Sequence, residues 1–192
     1  MRQTTLAAFL GAFFIALFVL LNAAFIVPES KSAIVLRFGE PTGKHTTAGL
    51  KFKTPFIENV EFIDKRNLEL DQDEIEIIAR NQERLRVDAF ARYRITDPVL
   101  FYQSVRTVAG GEQRLSTQMN QTVRRVLGEV SVDDIVSGRR TELMLRIQEL
   151  LGVSARQLGV EIIDVKIRRA DLPLQNSQAV FQRMITERNQ LV

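Results

Sequence analysis

The chain has 192 residues, with 26 Lys and Arg against 23 Asp and Glu, one histidine and no cysteine or tryptophan. Disulfides, thiolate catalysis, cysteine metal sites and multi-histidine metal centres are thereby excluded. A net charge of +3 is too small to argue for nucleic acid. In chain order the first feature is Leu6–Val27 (LAAFLGAFFIALFVLLNAAFIV), inside a longer stretch, Gln3–Val27, that carries no charged residue. At about 1.5 Å per residue the run reaches roughly 33 Å, enough for a ~30 Å hydrocarbon core. It is also longer than the apolar core of a cleaved signal, roughly 7–15 residues. A transmembrane helix over 6–27, behind a tail of residues 1–5, is expected. Arg2 ahead of it and Lys31, Arg37 and Lys44 behind it give a weak bias towards a cytoplasmic body.

After the anchor, Ser32–Phe38 reads as a strand ended by Gly39, and Glu40–Ala48 as a polar loop holding His45. Gly49–Glu58 (GLKFKTPFIE) alternates Leu50 and Phe52 with Lys51 and Lys53, then turns at Pro55. Phe52, Phe56 and Ile57 read either as core or as an aromatic tip at the lipid interface, with Lys51 and Lys53 at the headgroups. Val60–Leu70 continues as strand, broken at Asp64-Lys65-Arg66. Glu74–Ile78 and Arg84–Ile95 predict a hairpin that opposes Ile75 to Val87, Ile77 to Leu85 and Glu76 to Arg86. That register leaves Arg84, Arg86, Arg92 and Arg94 on the outer face, either as a solvated surface or as a contact for a neighbouring subunit. Asp97-Pro98 stops the sheet, and a short helix begins at Leu100–Tyr102.

Gly110-Gly111 closes that region, and from Glu112 the period becomes helical on Leu115, Met119, Val123, Val126 and Leu127, with Gly128 as the stop. Ser131–Asp134 resembles a capping box. Arg139–Leu151 is a second amphipathic helix, and Val160–Arg168 a strand whose phase switches at Ile162-Ile163, as at a bulge. Pro173 suits the first turn of a last helix carrying Phe181 and Met184. No Gly-x-Ser-x-Gly, Walker loop or His-Glu-x-x-His occurs. The acids Asp71, Asp73, Glu74 and Glu76 could suggest a cation site, but Glu74 and Glu76 belong to an amphipathic strand, where exposed acids are expected. No catalytic, cofactor-binding or metal residue is expected.

Together these segments resemble the SPFH/band 7 superfamily of stomatin, prohibitin and flotillin relatives, and within it the HflC type. The residues that carry the resemblance are Ser32–Gly39 (SAIVLRFG), Gly49–Glu58, Phe62–Arg66 (FIDKR) and Val87–Pro98 (VDAFARYRITDP), followed by Gly159–Arg168 (GVEIIDVKIR), Asp171-Leu172-Pro173 and Met184–Arg188 (MITER). Ala48-Gly49 departs from the usual Pro-Gly, and the family pattern continues past Val192 into a long coiled coil.

The resemblance implies an α+β fold: a single N-terminal transmembrane helix, then an SPFH domain of two α/β subdomains, a sheet-rich one at 28–100 and a second at 101–172, and the start of a coiled-coil helix at 173–192. It implies no enzyme and no cofactor. The implied role is a scaffold in the bacterial inner membrane, with a periplasmic body, that assembles as a hetero-oligomer with an HflK-like SPFH protein around an FtsH-type AAA+ protease. In that scheme Phe52, Phe56, Ile57, Lys51 and Lys53 contact membrane lipid, and Arg84, Arg86, Arg92, Arg94, Phe181 and Met184 contact neighbouring subunits. A stomatin-like organiser of lipid domains, acting without a protease, is the alternative.

Overall fold

The computed structural model describes residues 10, 13, 14, 18–135 and 139–171. They form two compact units. One is built from the described residues up to Arg66 with Ile95–Ser104, the other from Asn67–Arg94 with the described residues from Val105 on.

In the first unit a helical stretch α1 (18–23) leads straight into β1 (Ala24–Val27). The apolar run is thus helical only up to residue 23 at this end, which corrects the expected helix over 6–27. Phe25-Ile26-Val27 favours extended backbone, and β4 (Gly49–Phe52) supplies an antiparallel partner, with Ala24 opposite Phe52 and Val27 opposite Gly49. Among the described residues no helix is long and apolar enough to cross a membrane. Much of 6–17 lies outside them.

Beside this ribbon stands the sheet β3-β2-β5, made of β2 (Lys31–Arg37), β3 (Glu40–His45) and β5 (Glu58–Asp64). β2 is central and buries Ser32 through Leu36 without alternation, as a strand covered on both faces must. β3 corrects the expected loop at Glu40–Ala48. Phe38 (φ 51) and Gly39 (φ 87) are both left-handed, the conformation of a tight two-residue hairpin turn. The polar, proline-bearing sequence that follows is therefore an edge strand, where Pro41 withholds no needed donor. α2 (Pro98–Val105) completes this unit. It is capped by Asp97, whose carboxylate accepts the Val99 N–H at 3.2 Å, and it buries Phe101.

The second unit centres on β8 (Arg84–Ile95), antiparallel to β6 (Leu68–Asp71) and β7 (Ile75–Ile78). The register changes by one between them: Asp71 faces Phe90, whereas Ile75 faces Val87. Gln72-Asp73-Glu74 therefore stand against Asp88-Ala89, a bulge. It moves the buried phase from Leu70 to Ile75 and Ile77, so all three face the core with Leu85, Val87, Ala89, Ala91 and Tyr93. The hairpin pairs Ile75 with Val87, Glu76 with Arg86 and Ile77 with Leu85, as its alternation predicts.

α3 (Val108–Gly128) packs on β6 and β7. It starts before the expected Glu112 because Thr107 accepts the Gly110 N–H at 3.1 Å, which makes Gly110-Gly111 part of the first turn. α4 (Arg140–Arg156) packs on α3 and on β9 (Val160–Asp171), which pairs with β8. Burial along β9 switches from Val160 and Ile162 to Val165 and Ile167, the phase change read at Ile162-Ile163. Gln148 of α4 donates to the Ile163 carbonyl there at 2.8 Å. Ile95–Ser104 thus groups with the first unit, and β6, β7 and most of β8 group with the helices.

Candidate membrane-facing end and charged sheet face

The first unit presents one apolar end. In the β1–β4 ribbon, directly opposed residues share a face, so Ile26 stands with Leu50 and Ala24 with Phe52. This face is open: Ile26, Leu50 and Phe52 are 70, 58 and 64% exposed. Lys51 opposes Phe25 on the other face. Lys53 lies just past the strand, with its N–H on the Ala23 carbonyl at 2.8 Å. The chain then turns through Thr54–Ile57, where Phe56 is left-handed (φ 66) and 81% exposed. Its ring lies 6.5 Å from that of Phe18 in α1. Phe52, Phe56 and Ile57 are thus all exposed, and Lys51 stands on the ribbon face opposite Ile26, Leu50 and Phe52.

Sequence reasoning missed Ile26, Leu50 and Phe38. Phe38 is 88% exposed at the β2–β3 turn. The register opposes Arg37 to Glu58, so Phe38, just after β2, and Ile57, just before β5, lie at the same end of the sheet. Its sequence signal was the dipeptide Phe38-Gly39 closing an apolar strand, which reads equally well as the strand's last core residue.

Glu58 braces this end from behind. Its carboxylate accepts the Thr54 N–H and the Arg37 guanidinium, both at 2.7 Å, and its own N–H donates to the Thr54 carbonyl at 3.0 Å. The Thr54 N–H, and after it Arg37, hold the Glu58 carboxyl below its ordinary pKa.

The second unit presents the opposite chemistry. Arg84 meets Glu76 at 3.1 Å, Arg86 meets Glu74 at 3.4 Å, Arg92 meets Asp164 at 2.8 Å and Arg94 meets Glu161 at 2.8 Å. Arg168 of β9 lies 5.2 Å from the Phe90 ring centre and reaches Asp71, Asp88 and Glu69 at 3.3, 3.4 and 3.5 Å. Each arginine singled out in the sequence is therefore paired with an acid, on an adjacent strand for Arg84, Arg92 and Arg94 and in the bulge before β7 for Arg86. Hydrogen bonds from Arg92 hold the Asp164 carboxyl below its ordinary pKa.

Asp71, Asp73, Glu74 and Asp88 line an open cleft with Arg168 and Arg169. Among the described residues no group of three or more acids or histidines is arranged to hold a metal ion. Tyr93 is buried and donates to Glu112 at 3.3 Å, and burial pushes its hydroxyl well above the usual range. Phe181 and Met184 lie outside the described residues.

The SPFH domain / Band 7 family profile matches residues 25–191, and the chain belongs to that family. Within it the chain is of the HflC type. It is 30% identical over 194 residues to Protein HflC of Haemophilus influenzae, covering 94% of this chain and 65% of that protein. It is 26% identical over 235 residues to Modulator of FtsH protease HflC of Escherichia coli K12, covering 98% and 69%. It is also 24% identical over 209 residues to Protein HflC of Treponema pallidum, covering 90% and 63%. The chain thus spans somewhat less than two thirds of the Haemophilus protein's length.

Proposed function

We propose that this chain is a membrane-tethered scaffold that modulates an FtsH-type AAA+ protease, working with an HflK-like SPFH partner in a hetero-oligomer rather than catalysing a reaction. The observation that carries this reading is the HflC-type match over nearly the whole chain, one relative being named a modulator of that protease. The apolar end of the first unit supports the tethered part. The charge-free run Gln3–Val27 ends in β1, and the exposed Phe52, Phe56 and Ile57 extend the apolar surface of the β1–β4 ribbon. A patch of large exposed apolar residues in one place marks an interaction surface, and aromatic residues suit the lipid interface. The role is positional: the tether fixes the body at the bacterial inner membrane, the apolar end seats it, and lateral contacts enclose a membrane patch and limit the protease's access to substrates there.

The same apolar end also fits a lipid-organising module that has no protease partner. One experiment separates the two readings: gentle detergent extraction from native membranes, native-mass measurement and identification of the bound proteins. A large assembly holding an HflK-like protein and an FtsH-type protease is expected. A small oligomer without the protease sinks the first reading and leaves the second. A periplasmic body is tested separately. The chain has no cysteine, so a single engineered cysteine at exposed Gln157 should react in intact spheroplasts with a thiol reagent that cannot cross the membrane.

A further inference from the structure

We propose that the Phe38 turn and the Thr54–Ile57 turn act as a single rigid wedge in the lipid interface, with Glu58 as the positioning residue that couples them. The inference rests on the reading that this end faces the bilayer, and it adds a second point of insertion and the strut behind both. Phe38 and Phe56 each hold a left-handed backbone, at φ 51 and 66, and each exposes most of its ring. Glycine or asparagine adopts such a conformation far more readily than phenylalanine. A bulky aromatic in a costly backbone conformation, with its ring left outside the core, points from strain to function.

The two turns are not independent. The Arg37–Glu58 register brings them to the same end of the sheet. The Glu58 side chain, only 10% exposed, binds the Arg37 guanidinium next to Phe38 and the Thr54 N–H at the start of the other turn. A carboxylate that accepts both bonds fixes the spacing of the two rings, and charge-assisted bonds of this kind are the stronger ones. The occupant is a bilayer because the patch is continuous with the apolar run: α1 enters β1 without a break, β1 pairs with β4, and the Phe56 ring rests near Phe18 of α1.

The absence of tryptophan makes the test clean. Phe38→Trp and Phe56→Trp, each in the full chain reconstituted into phosphatidylcholine vesicles with brominated acyl chains, should both lose fluorescence relative to unbrominated vesicles. Adding Glu58→Ala should abolish quenching at position 38, while Glu58→Gln, whose single amide oxygen can replace only one of the two carboxylate oxygens that accept from Arg37 and Thr54, should give a partial loss. If neither tryptophan is quenched, the membrane-seating reading fails and the wedge with it. Quenching at 56 alone overturns the wedge and leaves the seating reading in place. Quenching at both positions that ignores Glu58→Ala overturns the coupling. Should circular dichroism show Glu58→Ala unfolded, Arg37→Met serves instead, because it cuts only the link to β2. Loss of quenching at 38 with retention at 56 then supports the coupling, and retention at both refutes it.

Discussion

The open face of the second unit's sheet and the apolar end of the first are both exposed, yet they expose different things. On β8 and its neighbours, the protruding arginines Arg84, Arg86, Arg92 and Arg94 each meet an acid, from Arg84–Glu76 at one end to Arg94–Glu161 at the other. At the end of the first unit, Phe38, Ile26, Phe52 and Phe56 protrude with most of their apolar area open. A charged side chain in water is already solvated, and pairing it on the surface is worth little either way. An exposed phenylalanine is a standing cost, recovered at ~25 cal/mol per Å² when something apolar covers it. Exposure by itself therefore does not mark a site. What marks one is exposure of groups that the folded chain leaves unsatisfied, and by that measure the first unit holds the stronger candidate. A neighbouring subunit docking on the arginine face has to exchange intrachain ion pairs for intermolecular ones.

The largest expected effect belongs to the buried side of the second unit. Leu115 is fully buried in α3, and Leu115→Ala should cost about 2–5 kcal/mol through lost transfer energy and the cavity left behind. A urea midpoint shifted at constant slope checks this. Next comes Arg92→Glu, which places a negative charge beside Asp164 and Glu69 and should lower the melting temperature by less than the core truncation does. The exchange Arg92→Glu with Asp164→Arg should restore most of that loss. If the exchange restores stability but co-purification with an HflK-like partner stays weak, the face is a contact surface as well as a ladder. If both recover, the arginines serve only the fold.

Smaller again is an acid effect confined to the first unit. The Glu58 pKa is depressed in the folded chain, so its contribution is complete above the unfolded-state value and fades as pH falls through the depressed one. The tryptophan of Phe56→Trp should therefore gain mobility at low pH, as a drop in fluorescence anisotropy that Glu58→Gln removes. Anisotropy that falls equally in both variants assigns the change to some other carboxylate.

How much of this was legible in the sequence depends on where each partner sits. The hairpin register could be read to the residue because both strands alternate strictly and are joined by a short turn, so only one pairing aligns the apolar faces. The stripe of α3 was legible for the same reason at helical period, and Leu115, Met119 and Val123 are all buried. β3 was missed because an edge strand borrows its order from its neighbour's backbone, which Pro41 and Gly43 do not advertise. β1 was missed because a continuous apolar run does not distinguish helix from strand. At the candidate site, Phe52, Phe56 and Ile57 stood out beside Pro55, whereas Phe38 was hidden as the last letter of a strand. The hairpin placed Glu76 opposite Arg86, but the acids that pair Arg92 and Arg94 were unreadable: Asp164 lies 72 residues from Arg92, and no local pattern spans that distance.

The smallest expected stability effect is the most telling, because it removes an apolar ring as Leu115→Ala removes an apolar branch. Phe56→Asn in detergent should change folding stability by no more than about 0.5 kcal/mol. The Phe56 ring is mostly exposed and its backbone sits at φ 66. Asparagine tolerates that conformation better than phenylalanine does, which offsets the lost contact with Phe18. The same variant in vesicles should seat less deeply, seen as weaker brominated-lipid quenching of a tryptophan at position 52. Two truncations of similar chemistry would then separate cleanly, one felt by the fold and the other only by the membrane. If Phe56→Asn instead costs as much as Leu115→Ala, the ring is packed as core in solution, and the apolar end of the first unit is a folding element rather than a lipid contact.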